Sequence, residues 1–417
     1  MELKMKKVSV IAAAVAATLA AGSAFAVDFN GYFRAGTGIS DNTGGDVSVS
    51  KNGIGRLGNE NDNYYEFGFA EELKTGEQTW RVESMLAKGD DDGKSGWEAG
   101  DINVAQFAVK AKGLIASDKE ATMWAGKTYY QRKDIHITDF YFLNTSGTGG
   151  GIENLSVGNQ KLSVAIIQDG EGTIKVGEND VKQSAGYILD TRLANIGLWE
   201  DASLELALAY NFSTETADGT EAADDGLLAS AIIHQGMSNG FNQTVLQYGT
   251  NGYGLQAANF WGSGAYYKRG NDSQNDASGY RLINWGVMNL GENWEMGHQL
   301  AYLAGSDIGN DTTSSKFDID QYSVVVRPMY KWNDTMRTIF EAGVNSGEKI
   351  NSAGTATEDF GNTKLTVAQG WAMGDSFWAR PELRVYGSYI TDTENDNAFG
   401  TGEDSEYVVG VQVEAWW

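Results

Sequence analysis

The sequence predicts an all-β protein, a transmembrane antiparallel β-barrel. Three observations predict it. Apolar and polar residues alternate with period two in segment after segment, with no convincing long helix between them. After the N-terminus no apolar run approaches the ~18 residues of a membrane helix, whereas a barrel strand needs apolar residues only at alternate positions. The chain also ends on an alternating strand whose last residue is aromatic, Trp417. A content of 53 glycines, 2 prolines and 11% aromatics suits a secreted sandwich or an outer-membrane barrel. The terminal aromatic favours the membrane. So does Ser203 to Phe212, where Leu204, Leu206, Leu208 and Tyr210 oppose Glu205, Ala207, Ala209 and Asn211, as lipid outside and water inside require. An open sheet of this size would leave its edges unprotected, so closure is expected. At roughly 20 to 24 residues per strand and connection, the chain makes about 16 to 20 strands.

Residues 1–26 read as a secretory signal peptide and residues 27–417 as one barrel domain. Lys4, Lys6 and Lys7 precede an apolar stretch from Val8 to Gly22, and Ala24-Phe25-Ala26 is a small-x-small cleavage site. A formal charge of −25 excludes a general nucleic-acid binder, which needs a basic footprint. The absence of cysteine excludes disulfide and thiolate chemistry. No compositional shift marks a second domain and no repeat is longer than the strand-loop spacing.

In order, the first strand is Val27 to Gly36, with Phe29, Gly31, Phe33 and Ala35 on one face and Asn30, Tyr32 and Arg34 on the other. Asn63 to Ala70 follows, then Trp80 to Leu86, then a polar loop from Lys88 to Asp101 carrying one exposed Trp97. Gly147 to Gly151 reads as a glycine break, and Lys161 to Gln168 and Ser203 to Phe212 as strands. Later strands are 241–250, 281–288, 321–327, 336–344, 364–369, 376–389 and 407–417. Acidic or glycine-rich loops separate them at 213–226, 268–279, 306–315 and 391–406.

Strand parity places the side chains. In the last strand Tyr407, Val409, Val411, Val413, Ala415 and Trp417 form an apolar face assigned to lipid, so Gln412, Glu414 and Trp416 face the lumen. The same logic turns Tyr32, Arg34, Tyr64 and Glu66 inward, and Trp378, Arg380, Glu382 and Arg384 with them. Phe241 shares a face with Gln243 and Gln247, and also with Val245. Aromatics at a membrane interface face outward. Tyr32, Tyr64, Phe241, Trp378 and Trp416 face inward, where a water-filled channel has no need of them unless sugar rings slide along the line.

One stretch fits neither a strand nor an amphipathic helix throughout. Trp124 to Phe142 sets six aromatics among Lys127, Arg132, Lys133, Asp134 and Asp139, and its alternation breaks at Gln131–Asp134. Aromatic faces beside paired charges suit a polyhydroxylated ligand, whose CH faces stack and whose hydroxyls bridge Arg and Asp.

With these blocks in view, the chain resembles the maltoporin family, outer-membrane sugar porins. The matching blocks are VDFNGYFRAG (27–36), RLGNE (56–60), WAGKTYYQRKDIHITDFYF (124–142), RPMYKW (327–332), GDSFWARP (374–381) and VEAWW (413–417). The resemblance implies a barrel of about 18 strands, assembled as a homotrimer, with the region of Trp124 to Tyr141 folded inward as a constriction loop. It implies facilitated diffusion of maltose and malto-oligosaccharides along an aromatic slide of Tyr32, Tyr64, Trp97, Phe241, Trp378 and Trp416. Trp97 would reach in from a neighbouring subunit. A polar track would comprise Arg34, Arg56, Glu66, Arg132, Asp139 and Tyr141, the last three at the constriction. Outer-membrane lipid and a periplasmic sugar-binding protein are the implied partners, with no cofactor and no metal. The sequence departs from relatives at Ala105, where they carry a track arginine. It also has no cysteine for the disulfide some of them form in the first external loop.

A general diffusion porin is the first alternative, and a sugar porin for sucrose or aryl-glucosides the second. An outer-membrane hydrolase would need a nucleophile, base and orienter. Only His136, His234 and His298 are available as a base, so no enzyme is expected.

Overall fold

The computed structural model describes residues 27–42, 48–90, 102–169, 173–176, 179–182, 186–212, 223–260, 273–309, 315–351, 354 and 357–417. The elements in chain order are β1 (Asp28–Ser40), α1 (Lys51–Ile54), β2 (Asn63–Thr75), β3 (Gln78–Asp90), β4 (Asn103–Lys112), β5 (Thr122–Thr128), β6 (Lys133–Ile135), β7 (Phe140–Leu143), β8 (Gly147–Val157) and β9 (Gln160–Asp169). There follow β10 (Thr173–Val176), β11 (Asn179–Lys182), β12 (Gly186–Gly197), β13 (Ala202–Phe212), β14 (Gly226–Met237), β15 (Gly240–Thr250) and α2 (Gly252–Ala258). The chain closes with β16 (Ser278–Asn289), β17 (Trp294–Gly309), β18 (Lys316–Lys331), β19 (Met336–Asn351), β20 (Thr357–Ala372), β21 (Glu382–Asp392) and β22 (Ser405–Trp416).

Eighteen of these strands form one antiparallel sheet. β1 pairs with β2 on one side and β22 on the other, so the sheet is a closed barrel. β6–β7 and β10–β11 are separate two-stranded pieces in connections. Closure pairs every wall strand and leaves no free edge, which a sheet inside lipid requires.

Alternation is the reason these residues form these strands. Along β21, Glu382, Arg384, Tyr386 and Ser388 are buried toward the interior, and Leu383 (60% exposed) and Val385 (46%) face out. Along β22, Glu414 and Gln412 are buried, while Tyr407, Val409 and Val411 face out. β13 behaves as its period predicts, with Leu206 and Leu208 outside and Ala207 and Ala209 inside. Outward Tyr248, Tyr280, Tyr302 and Tyr322 near the external strand ends, and Trp294, Trp332 and Trp371 near the short turns, sit where interfacial aromatics belong. No helix among the described residues is long and apolar enough to cross a membrane.

Several boundaries differ from the sequence reading. Gly147 to Gly151 is not a break but the start of β8. The backbone of β9 passes so close to Gly149 and Gly151 that a side chain there would strike it, so this strand uses glycine to pack tightly. The segment 376–389 is not one strand. Residues 376–381 form a turn and β21 begins at Glu382. Strands β4, β5, β12, β14 and β17 were not singled out in sequence, and β3 and β17 run on into segments read as loop.

Two of the connections that fold into the lumen shape the passage described below. The first is 48–62, with α1 at its start. The second is 129–146, with β6 and β7, and its turns use the left-handed conformation at Gln131 (φ 41°) and Asp139 (φ 50°). The main apolar core lies between this second loop and the wall. Ile135, Ile137, Phe140 and Phe142 of the loop pack with Val245, Ile283, Leu303 and Val325 of the wall. This explains why Val245 lies on the inward face beside Phe241: it meets protein there, not water.

Candidate functional site: a ring-lined passage beside the inward loops

The two inward loops leave a cavity of about 630 Å³ against β1, β2 and β22. Tyr32 and Arg34 come from β1, Tyr64 and Glu66 from β2, and Trp416 from β22. The first loop supplies Lys51, Arg56 and Asp62, and the second Arg132, Asp134, His136, Asp139 and Tyr141. Nine of the twelve residues expected from sequence therefore line one space.

The rings form a connected line. Tyr64 and Tyr32 have centroids 6.1 Å apart, and Tyr32 lies nearly parallel to Trp416 at 6.5 Å. His136 meets Trp416 edge-on at 5.5 Å and Trp378 at 5.6 Å. Strand direction orders the line. β1 and β22 join at the chain ends beside the short turns, and Tyr64 stands at the loop-side end of β2. The line thus descends from Tyr64 to Trp378, which stands 37% exposed in the 373–381 turn. Trp378 reaches this position from a turn, not from strand parity. Phe241 lies apart, at the turn-side end of β15, stacked on His234 at 5.7 Å and edge-on to Trp285 at 5.1 Å. Trp97 lies outside the described residues.

Opposite the rings, charges are paired with one another. Arg34 binds Asp62 at 2.6 Å, and Lys51 bridges Glu60 at 2.6 Å and Asp139 at 3.0 Å. Arg56 bonds Glu60 at 2.5 Å and donates to the Tyr32 hydroxyl at 2.8 Å, which donates in turn to Glu414 at 3.0 Å. Glu66 accepts from Tyr64 at 2.6 Å and from Tyr129 at 3.1 Å. Arg132 lies over the Tyr129 ring at 3.6 Å and the Tyr141 ring at 4.9 Å. Arg380 lies over Trp416 at 4.5 Å and binds Glu414 at 2.8 Å, fixing the indole from behind.

Burial and charge set the protonation states in the loops. Burial alone would raise the Glu60 carboxyl, but Arg56, Arg34 and Lys51 outweigh it and hold it at about 2. Burial, with Arg56 and Arg380 beside it, pushes the His136 imidazole well below its ordinary range despite Glu414 nearby. His136 is then a neutral ring that continues the aromatic line. Burial pushes the Tyr141 phenol up, so it remains a donor.

Sequence reasoning missed His136, Lys51, Asp62 and Asp134 as lining residues. His136 lay within a matched block. Lys51 and Asp62 carry no local signal, because they reach the site only through the fold of the first loop. Ala105 lines a smaller neighbouring cavity of about 240 Å³, with Tyr64, Lys127 and Arg132.

A family model described as LamB porin matches residues 27–417. The chain belongs to the LamB porin family. Among curated proteins, this family member is 76% identical over 427 residues to a maltoporin of Vibrio cholerae serotype O1 strain O395, covering 100% of both chains. It is 45% identical over 419 residues to a maltoporin of Photobacterium profundum, covering 94% of each. Among solved structures, OpdK of Pseudomonas aeruginosa with vanillate aligns over 94% of this chain and 99% of its own, with a TM-score of 0.50 and 11% identity. At that identity the likeness shows the barrel fold alone.

Proposed function

We infer that this LamB-family barrel is an outer-membrane channel of a Gram-negative bacterium for maltose and malto-oligosaccharides. Family membership over residues 27–417 and full-length identity to maltoporins support the activity. The family is one of channels, and diffusion down a gradient needs no cofactor.

The mechanism is a division of labour in the passage. The observation that carries it is the ring line from Tyr64 through Tyr32, Trp416 and His136 to Trp378. A glucose-type ring offers an apolar CH face, which these rings stack. Its rim of hydroxyls exchanges hydrogen bonds with Arg34, Arg56, Glu66, Arg132, Asp139 and Tyr141. Successive rings a few ångströms apart let the sugar step without leaving the surface. Binding is weak, because conduction needs a ligand that enters favourably and still leaves. Millimolar affinity is only about −4 kcal/mol. Phe241 receives the sugar near the turn-side exit. Trp97 completes the slide from a neighbouring subunit of a homotrimer, and export removes residues 1–26.

Liposome swelling with maltose, maltotriose, sucrose and raffinose tests the reading. Faster entry of maltotriose than of sucrose or raffinose is expected. Rates that follow size alone would make the chain a general diffusion porin.

A further inference from the structure

Four cations of the barrel wall reach inward to the loops, and each donates to a backbone carbonyl there. Arg192 of β12 bonds the Gln131 carbonyl at 2.6 Å, Arg327 of β18 the Ile137 carbonyl at 3.0 Å, and Arg281 of β16 the Phe142 carbonyl at 3.1 Å. Lys364 of β20 bonds the Leu57 carbonyl of the first loop at 2.6 Å. A loop inside a barrel has lost its ladder partners, so its buried carbonyls need donors. Charged donors make the stronger bond.

Three of the four have a carboxylate: Asp190 for Arg192, and Glu341 for Arg327 and Lys364. Arg281 differs. It is 2% exposed, and no carboxylate among the described residues pairs with it. Its Nε donates to Gln247 at 2.6 Å, and its guanidinium lies over the Phe140 ring at 5.3 Å. A buried cation without a counter-charge costs several kcal/mol unless its donors are used. Here one donor is used on the loop, at the Phe142 carbonyl, and one on Gln247 of β15. Phe140 and Phe142 both point into the protein, and Tyr141 between them points into the passage, where Arg132 lies over its ring.

We propose that Arg281 is a positioning residue for sugar recognition, holding Phe140 and Phe142 so that Tyr141 and Arg132 stand at fixed depth in the passage. It touches no sugar itself. The proposal rests on the reading of Tyr141 and Arg132 as sugar contacts.

Planar-bilayer recording of the full-length channel, with maltotriose as the probe, tests it. Arg281→Met keeps an unbranched apolar stem, shorter than the arginine, and removes both hydrogen bonds; it is expected to weaken maltotriose block by about tenfold, the scale of one lost charged hydrogen bond. Open-channel current noise should rise. Arg281→Lys keeps the charge and one donor and should recover most of the loss. Gln247→Leu frees one side of the guanidinium and should weaken block by a smaller factor. A role confined to barrel stability would lower the temperature at which the unheated gel band converts, leaving the per-channel binding constant unchanged. Unchanged block in Gln247→Leu and in whichever Arg281 variants fold overturns the proposal. Tyr141→Phe and Trp416→Ala are recorded beside them. If those two keep full block, the sugar-path reading falls, and noise measured without sugar decides the tether alone: unchanged noise in Arg281→Met overturns it.

Discussion

The two sides of the passage are built by different physics. The upper ring side is held by the wall: Tyr32, Tyr64 and Trp416 stand on strands, and Arg380 of the 373–381 turn pins the indole. The charged side is held by loops, whose ions satisfy one another before any ligand arrives. Ring faces need only be present, because stacking tolerates sliding. Hydrogen bonds need geometry, which Lys51, Asp62 and Glu60 supply by fixing Arg34, Arg56 and Asp139 in place.

The largest expected effect breaks the comparison at its ring side. Trp416→Ala should weaken maltotriose block about tenfold, since a lost stacking face is worth roughly 1.5 kcal/mol. Open-channel conductance should stay the same or rise slightly, and ion selectivity should not move. Trp378→Ala should act in the same direction. Full block in both mutants, measured by titrating maltotriose against single-channel current, would sink the stacking role.

A smaller effect on sugar, with a second signature, is expected on the charged side. Asp139→Ala removes an acceptor and a partner of Lys51 at 3.0 Å. Block should weaken by roughly threefold to tenfold, the worth of about one hydrogen bond. The reversal potential in a KCl gradient should shift toward anions, which distinguishes this mutant from Trp416→Ala. A mutant that loses sugar block without any shift would show that charge and stacking are not separable here.

Next comes pH. Glu60 is held at about 2 in the folded loop, below its ordinary 4.5. A depressed carboxyl contributes stability above the unfolded value and loses it as pH falls through the folded value. Sugar block should therefore stay flat from neutral pH to near 4.5 and decline from there toward 2. A decline beginning near pH ~6 would implicate His136 instead, contrary to its burial between Arg56 and Arg380.

The smallest expected effect is the selectivity of the unmutated channel. Lys133 is paired with Glu205 at 2.7 Å, and Arg34 and Arg56 are also paired. With the basic side chains so occupied, the acidic chain should favour cations. A reversal potential of the opposite sign would show that Arg132, which has no carboxylate partner among the described residues, dominates the narrow point.

Much of this was legible in sequence because a strand reports its own two faces. Tyr32, Tyr64 and Trp416 were placed inward by parity, and β13 shows its faces as read. Trp378 stands beside His136, but it sits in a turn, where parity has no meaning. The glycines of β8 read as a break because close backbone approach leaves no local mark. The first loop was the least legible part. Glu60 and Lys51 pair with each other and also with Arg34 and Asp139, farther away in the chain, and no periodicity records that. The wall arginines were equally silent, because an inward arginine reads the same whether it meets water or a carbonyl.

The seam between β1 and β22 sets the order in which this molecule can be made. Tyr32 faces Trp416 across it, so the first and last strands of the barrel are neighbours. No growing chain can make that join until its final residues exist. Until then both margins of the sheet are unpaired and prone to stick to other chains. The passage inherits the same schedule, since Tyr32 and Trp416 face each other only once the ring is shut. A chain cut short by even a few C-terminal residues would lose its latch and its sugar-facing indole together.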